Sequence, residues 1–247
     1  MPIVNTDFLI LFCILLAVVA FLYSSVGHGG ASGYLALMAI FSVPIVVMKP
    51  SALLLNLFVS GISFFFYYKK DFFKPRLFYP FAITSVPAAF IGGMIPLENS
   101  FYKIALGIVL ILAALRLLGF FNSAAKENVK INIPLALAMG FGIGLLSGML
   151  GIGGGVILSP ILLILGWATL KETASISSLF IFVNSIAGLS GFFLGNKTIP
   201  TESFYLVPIA VFGGIFGAYY GSSYFSNTVL KYVLATVILL ASLKLIF

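Results

Sequence analysis

Charge is scarce in this chain of 247 residues: only 8% are Asp, Glu, Lys or Arg, and six are acidic. A soluble domain carries about 25% charge, so this composition cannot supply a water-facing surface. Disorder is excluded on the same ground, because disordered chains are charged and poor in aromatics, whereas 15% of these residues are aromatic. One cysteine, Cys13, cannot close an intrachain disulfide, and one histidine, His28, cannot build a multi-histidine metal site. Neither a metal nor another cofactor is therefore expected. No basic run interleaved with exposed aromatics accompanies the net charge of +7. The excess is read as the lysines and arginines of cytoplasmic loops, and nucleic acid is not an expected partner. Residues 1–7 lack the Lys or Arg of a signal peptide and no small-residue cleavage site follows, so the first apolar stretch is expected to be retained.

What the chain has is apolar sequence, 62% of it, in long runs. Ten segments emerge at about the length of a membrane span: 8–26, 30–48, 50–68, 77–95, 101–119, 133–150, 154–170, 173–195, 204–222 and 228–246. They are apolar all round, without strand alternation. In lipid the backbone must satisfy itself, which leaves helices or a closed barrel, so the expected fold is an all-α polytopic transmembrane helix bundle in the lipid bilayer.

The two halves look like copies. At an offset of 128 residues Asn56 falls on Asn184, Phe64-Phe65 on Phe192-Phe193, Pro80 on Pro208, Gly93 on Gly221 and Lys103 on Lys231. At an offset of 124, Gly27, Gly29 and Gly30 fall on Gly151, Gly153 and Gly154. One membrane domain is expected from two repeats, 1–119 and 133–247, joined by a cytoplasmic linker, 120–132. Internal repeats mark many transporter folds. Five segments per repeat would make them inverted, with both termini outside. Nine of the basic residues then share the face of the 69–76 and 120–132 loops, against four opposite, which places those loops in the cytoplasm of a plasma (inner) membrane protein. Segments 30–48 and 154–170 follow very short turns and are alternatively broken or re-entrant helices. That would leave eight crossings and parallel halves.

The sharpest local features are two glycine clusters inside apolar sequence, Gly27-His28-Gly29-Gly30-Ala31-Ser32-Gly33 and Gly151-Ile152-Gly153-Gly154-Gly155. Glycine runs break a helix and let a ligand approach the backbone. A new helix starts after each, and a helix N-terminus attracts anions. Gly140, Gly142, Gly144 and Gly148 instead have the spacing of close helix packing. Asn56 and Asn184 sit mid-segment, where an amide must face the protein interior, either on substrate or as interhelical glue. Ser51 and the run Thr173–Ser178, Ser177 included, open the same helices as anion ligands or caps. His28 is the single group titrating near neutrality. The six acids lie in loops or at segment ends, so no carboxylate is available for proton coupling within the membrane. Lys49, Lys171 and Arg116 read as cations snorkelling to the interface, or drawing an anion to the pore mouth.

With its duplicated glycine clusters and Pro160 downstream of the second, the chain resembles the sulfite exporter TauE/SafE family, also called the toluenesulfonate uptake permeases. The resemblance covers essentially the whole chain; in the first copy His28 and Ala31 interrupt the glycines and Ala36 stands in place of the proline. It implies a multi-pass permease for sulfur-containing or other small organic anions. The expected function is a non-enzymatic carrier of sulfite or an organosulfonate. Its expected substrate-binding residues are Gly27, His28, Gly29, Gly30, Ser32, Asn56, Gly151, Gly153, Gly154, Gly155, Ser177 and Asn184. Two alternatives stand beside it. Gly30-Ala31-Ser32-Gly33 with His28 fits an intramembrane serine protease, if Ser32 and His28 meet across one helical turn. The other is a purely structural membrane subunit. Assembly as a homo-oligomer is compatible with each.

Overall fold

The computed structural model describes residues 8–120, 131–195, 198–223 and 228–246. Residues 1–7 and 121–130 (most of the expected linker), together with Lys197, lie outside the described residues. The order is α1 (Leu9–Ser25), α2 (Ala31–Ile40), α3 (Ile45–Tyr68), α4 (Pro75–Met94), α5 (Asn99–Leu117), α6 (Ile133–Leu150), α7 (Gly155–Ile164), α8 (Leu170–Leu194), α9 (Glu202–Ser223) and α10 (Thr228–Ile246). No strand occurs among the described residues. Among the described residues six helices, α3, α4, α5, α6, α8 and α9, are long and apolar enough to cross a membrane. Side chains such as Ile10, Ile83, Phe212 and Tyr205 stand exposed around the bundle, as lipid-facing residues do.

Boundaries follow local chemistry more than hydropathy. Helix α8 begins at a capping box: the Thr169 side chain accepts from Glu172 N, and Glu172 reaches back to Thr169 N. An apolar window misses this start because Lys171 and Glu172 occupy the first turn. Helix α3 starts after Pro44 and absorbs Pro50, so the break expected at Lys49-Pro50 lies at 41–44 instead, where Ser42 adopts a left-handed φ of 57°. The segments expected to run 30–48 and 154–170 are thus only 10-residue helices, α2 and α7. Ten residues span about 15 Å, half a hydrocarbon core of about 30 Å.

Contacts order the ends of the helices. Phe8 and Phe12 stack on Phe41, and Lys244 Nζ donates to the Ile40 carbonyl (2.9 Å). The start of α1, the end of α2 and the end of α10 therefore share one face, hereafter the termini face. Opposite, Lys74 pairs with Glu172 at 3.6 Å, and Lys171 Nζ donates to the Ser222 carbonyl at 2.7 Å. This linker face holds the starts of α4, α6 and α8 and the end of α9. Helix α1 runs almost fully across, since the Tyr67 hydroxyl, near the end of α3, donates to the Ser25 carbonyl (2.8 Å). Residues 26–30 then turn back to the level of Asn56, the middle of α3, and α2 climbs to the termini face. Helix α6 likewise ends near the termini face, where Tyr102 donates to the Leu150 carbonyl (3.1 Å). Its glycine loop returns to the same middle level, and α7 leaves for the linker face, where Trp167 meets Phe81. Two half-length helices thus start at mid-depth and diverge.

Glycines set the helix spacing. Gly213, Gly217 and Gly221 on α9 lie against the backbone of Ala17, Phe21 and Ser25 on α1. Gly140, Gly144 and Gly148 on α6 lie in the same manner against Phe81, Ser85 and Ala89 on α4. At each of these six positions a Cβ would collide with a carbonyl oxygen, the close approach that small-residue stripes permit. Gly142, with the same sequence spacing, has nothing within 4 Å and takes no part.

Candidate functional site

The two glycine loops meet across one side chain. Asn56, fully buried, accepts a hydrogen bond at Oδ1 from the Ala31 amide (2.9 Å), the first residue of α2. Its Nδ2 has no partner among the described residues and lies 2.7 Å from where Gly153 of the second loop would carry a Cβ. Ile181 of α8 walls both loops, 3.0 Å from the corresponding point on Gly29 and 2.7 Å from that on Gly153. Gly30 (φ 98°) and Gly154 (φ 79°) take the N-cap positions of α2 and α7 and supply no side-chain cap of their own; at α2 the Asn56 Oδ1 takes the first N–H instead. A left-handed φ at both caps is why glycine occupies them. First-turn N–H groups have no partner within their own helix, and here two such sets face the middle of a bilayer-spanning bundle.

His28 ties the first loop to the second half of the chain. His28 Nδ1 lies 3.0 Å from the Val26 carbonyl and Nε2 lies 2.8 Å from the Ser159 hydroxyl, whose own proton goes to the Gly155 carbonyl (2.7 Å). Ser159 in turn sits 2.7 Å from Ser177 Oγ. The loop, α7 and α8 are thus linked through three fully buried polar side chains. This arrangement removes the protease geometry. Ser32 Oγ donates to the Tyr23 hydroxyl (2.7 Å), and the His28 ring turns to Val26 and Ser159, so the expected Ser32–His28 pair does not form. The expected i, i+4 approach fails because His28 lies in the loop before α2, outside any helix.

The other expected residues spread around this centre. Gly27 packs on the Ala174 backbone, Gly151 on Lys49, Gly154 on Ile143 and Phe180, and Gly155 on Ile181. Asn184 departs from its sequence counterpart Asn56. Its Nδ2 donates to the Phe180 carbonyl of its own helix (2.9 Å) and only its Oδ1, an acceptor, is unpartnered. Ser51 bonds Ser203 at 2.7 Å, and Ser178 bonds the carbonyls of Ala174 and Ser175, so both serve packing. Lys49 and Lys171 close the ends of neighbouring helices: Lys49 donates to the Gly92 and Gly93 carbonyls of α4, Lys171 to Gly221 and Ser222 of α9. Cations belong at helix C-termini. Sequence reasoning missed Ser159 and Ile181. The first had a signal, a hydroxyl beside Pro160 in apolar sequence; the second had none.

A cavity of about 470 Å³ opens beside the second loop, lined among others by Lys49, Asn99, Tyr102, Met149, Phe192 and Thr198. Lys49 is shared between this cavity and the wall of Gly151, so the opening adjoins the second glycine loop on the termini face.

Long apolar helices that bury two glycine-initiated helix starts and an orphan amide at mid-depth define a multi-pass membrane transporter, since irregular backbone survives at that depth only where it serves a cavity or site. Comparison with known proteins agrees. The family model of the sulfite exporter TauE/SafE matches residues 11–245, and the chain belongs to that family. It is 35% identical over 237 residues to "Probable membrane transporter protein y4hK" of Sinorhizobium fredii, covering 93% of this chain and 95% of that protein. No solved structure matches it. The family and this relative are membrane transporters, not enzymes.

Proposed function

We propose that the protein is a secondary carrier of small anions, of the sulfite or organosulfonate class, and that the anion sits at mid-depth between the starts of α2 and α7. One observation carries this reading: the unpartnered Nδ2 of Asn56, fully buried, aimed at Gly153 beside two helix N-termini that begin at glycine. All three features donate hydrogen bonds or carry positive dipole ends, which suits an anion and repels a cation. Membership of a family of sulfite exporters supplies the sulfur oxyanion. Asn184, whose free atom is an acceptor, belongs to the scaffold in this reading, and His28 holds the loops together through Ser159. The pairing of α1 with α9 and of α6 with α4, the two half-helices, and the matched lysine caps support descent from an inverted duplication, with the halves rocking about the bound anion. The positive balance of the linker face supports its placement in the cytoplasm.

Flux of sulfite into proteoliposomes tests the proposal, with Asn56→Ala and Asn184→Ala compared. Loss of one charged-ligand hydrogen bond lowers affinity by about tenfold. Asn56→Ala is therefore expected to need about tenfold more sulfite for half-maximal flux, and Asn184→Ala to track the wild type. Equal behaviour of the two variants, or no saturable sulfite or sulfonate flux in the wild type, would refute it.

A further inference from the structure

The polar trio of His28, Ser159 and Ser177 is more than packing demands. At the 124-residue offset that aligns the glycines, His28 falls on Ile152 and Ser159 on Leu35. Both counterparts are buried and apolar, so the second loop makes its turn without an imidazole. Taking polar groups out of water costs free energy that an apolar pair does not.

His28 Nδ1 faces the Val26 carbonyl at 3.0 Å, an acceptor only. Its Nε2 faces Ser159 Oγ at 2.8 Å and the Gly155 carbonyl at 3.3 Å. The Ser159 proton goes to that same carbonyl at 2.7 Å, and Ser177 Oγ lies 2.7 Å away, placed to donate to Ser159. Both ring nitrogens therefore look at acceptors. A neutral imidazole has one N–H and would set its other nitrogen's lone pair against an oxygen lone pair. An imidazolium has two N–H groups and satisfies both sides. If the Ser159 proton turns to Nε2, the neutral ring is satisfied as well, with every heavy atom in place. One rotating hydroxyl thus lets the site hold the ring with or without its second proton.

That second proton brings a positive charge to a place without a carboxylate. The titratable groups on the elements around the loop are phenols and cations: Tyr23 of α1, Tyr34 of α2, Lys49 and Tyr67 of α3, Arg116 of α5 and Lys171 of α8. None of the acids among the described residues is buried. A buried charge needs a counter-charge. The place for one adjoins the ring, since Gly29 follows His28 and a Cβ there would lie 2.5 Å from Asn56 Oδ1.

We propose that His28 binds a coupling proton at Nε2, taken up together with the anion and carried with it. This rests on the anion-carrier reading above and adds the ion to which transport is coupled. The proton comes from water on the side where the anion enters and returns to water on the other; only the Nε2–H bond forms and breaks. Anion and imidazolium each stabilise the other, and that coupling is reciprocal.

Calorimetric titration of the purified full chain in detergent with sodium methanesulfonate, in buffers of different ionisation enthalpy, counts the protons taken up per anion. Methanesulfonate stays ionised throughout, so each proton counted goes to the protein. Wild type is expected to take up about one proton per anion above neutral pH, with affinity falling about tenfold per pH unit there. His28→Gln is expected to bind more weakly, without proton uptake and with an affinity that no longer varies with pH. Ser159→Ala, which leaves Nε2 only the longer approach to Gly155, is expected to move the pH dependence about one unit lower. Wild type that binds neither methanesulfonate nor sulfite would overturn the anion-carrier reading and this site with it. Wild-type binding without proton uptake would overturn the proton site alone, as would uptake that survives in His28→Gln. If wild type binds only sulfite, which itself titrates, equal proton counts in wild type and His28→Gln would overturn the proton site. If His28→Gln does not fold, a pH dependence unmoved in Ser159→Ala would overturn it equally.

Discussion

Three glycines in three surroundings give the sharpest test, because the same added methyl should have three different effects. At Gly217 a Cβ would strike the Phe21 carbonyl, with the carbonyl carbon and Cα each 2.8 Å away. Backbone cannot step aside unless α9 parts from α1, so Gly217→Ala is expected to cost at least the 1–3 kcal/mol (roughly) typical of overpacking. At Gly142 nothing lies within 4 Å, and alanine is the better helix former by about 0.5–1 kcal/mol, so Gly142→Ala should be neutral or slightly stabilising. At Gly153 the φ of 72° adds about 1–2 kcal/mol of left-handed strain. The methyl also meets Asn56 Nδ2 and Ile181 Cγ2, both at 2.7 Å. Those are side-chain atoms that can yield, and the sum stays below a typical stability of about 5–15 kcal/mol. Gly153→Ala should therefore elute from size exclusion as a folded protein with a modestly lower melting temperature. Its methyl fills the space beside the orphan amide, so sulfite flux in proteoliposomes should drop about tenfold, the consequence of roughly 1.4 kcal/mol of lost binding. Wild-type flux in Gly153→Ala would refute the site. Gly142→Ala as unstable as Gly217→Ala would refute the packing argument behind all three.

Other expectations are simpler to state. Ser32→Ala should leave transport within about twofold of wild type, since it removes one neutral hydrogen bond to Tyr23 worth roughly 0.5–1.5 kcal/mol of stability; abolished flux would show a role on substrate. Lys49→Met should lower the melting temperature by removing the cation that caps α4 at Gly92 and Gly93, about 1 kcal/mol for a partly buried cap, and an unchanged melting curve would contradict that role. In a Cys13→Ser background, Thr198→Cys and Lys74→Cys should react with a membrane-impermeant thiol reagent from opposite sides of sealed vesicles. Labelling from the same side would contradict the two-faced arrangement.

The bundle was legible in composition because lipid selects helices that are apolar all round, a property each segment carries in itself. The glycine clusters were legible for a like reason, since backbone that breaks a helix in apolar sequence is a local anomaly. The glycine N-caps at Gly30 and Gly154 follow from that anomaly alone. What lies outside local sequence is partnership. Asn56 and Asn184 occupy matched positions, yet one spans two loops and the other bonds its own helix, because α2 begins against the former and α7 does not begin against the latter. The length of α2 and α7 was likewise set by tertiary structure: the apolar runs of 30–48 and 154–170 are long enough to span, but the turns at 41–44 and Gly166 end each helix early. The physical reason is common to these cases. Hydrophobicity fixes which residues leave water, a sum over single residues, while depth, direction and hydrogen-bond partner depend on segments more than 100 residues apart, such as His28 and Ser159, that only packing brings together.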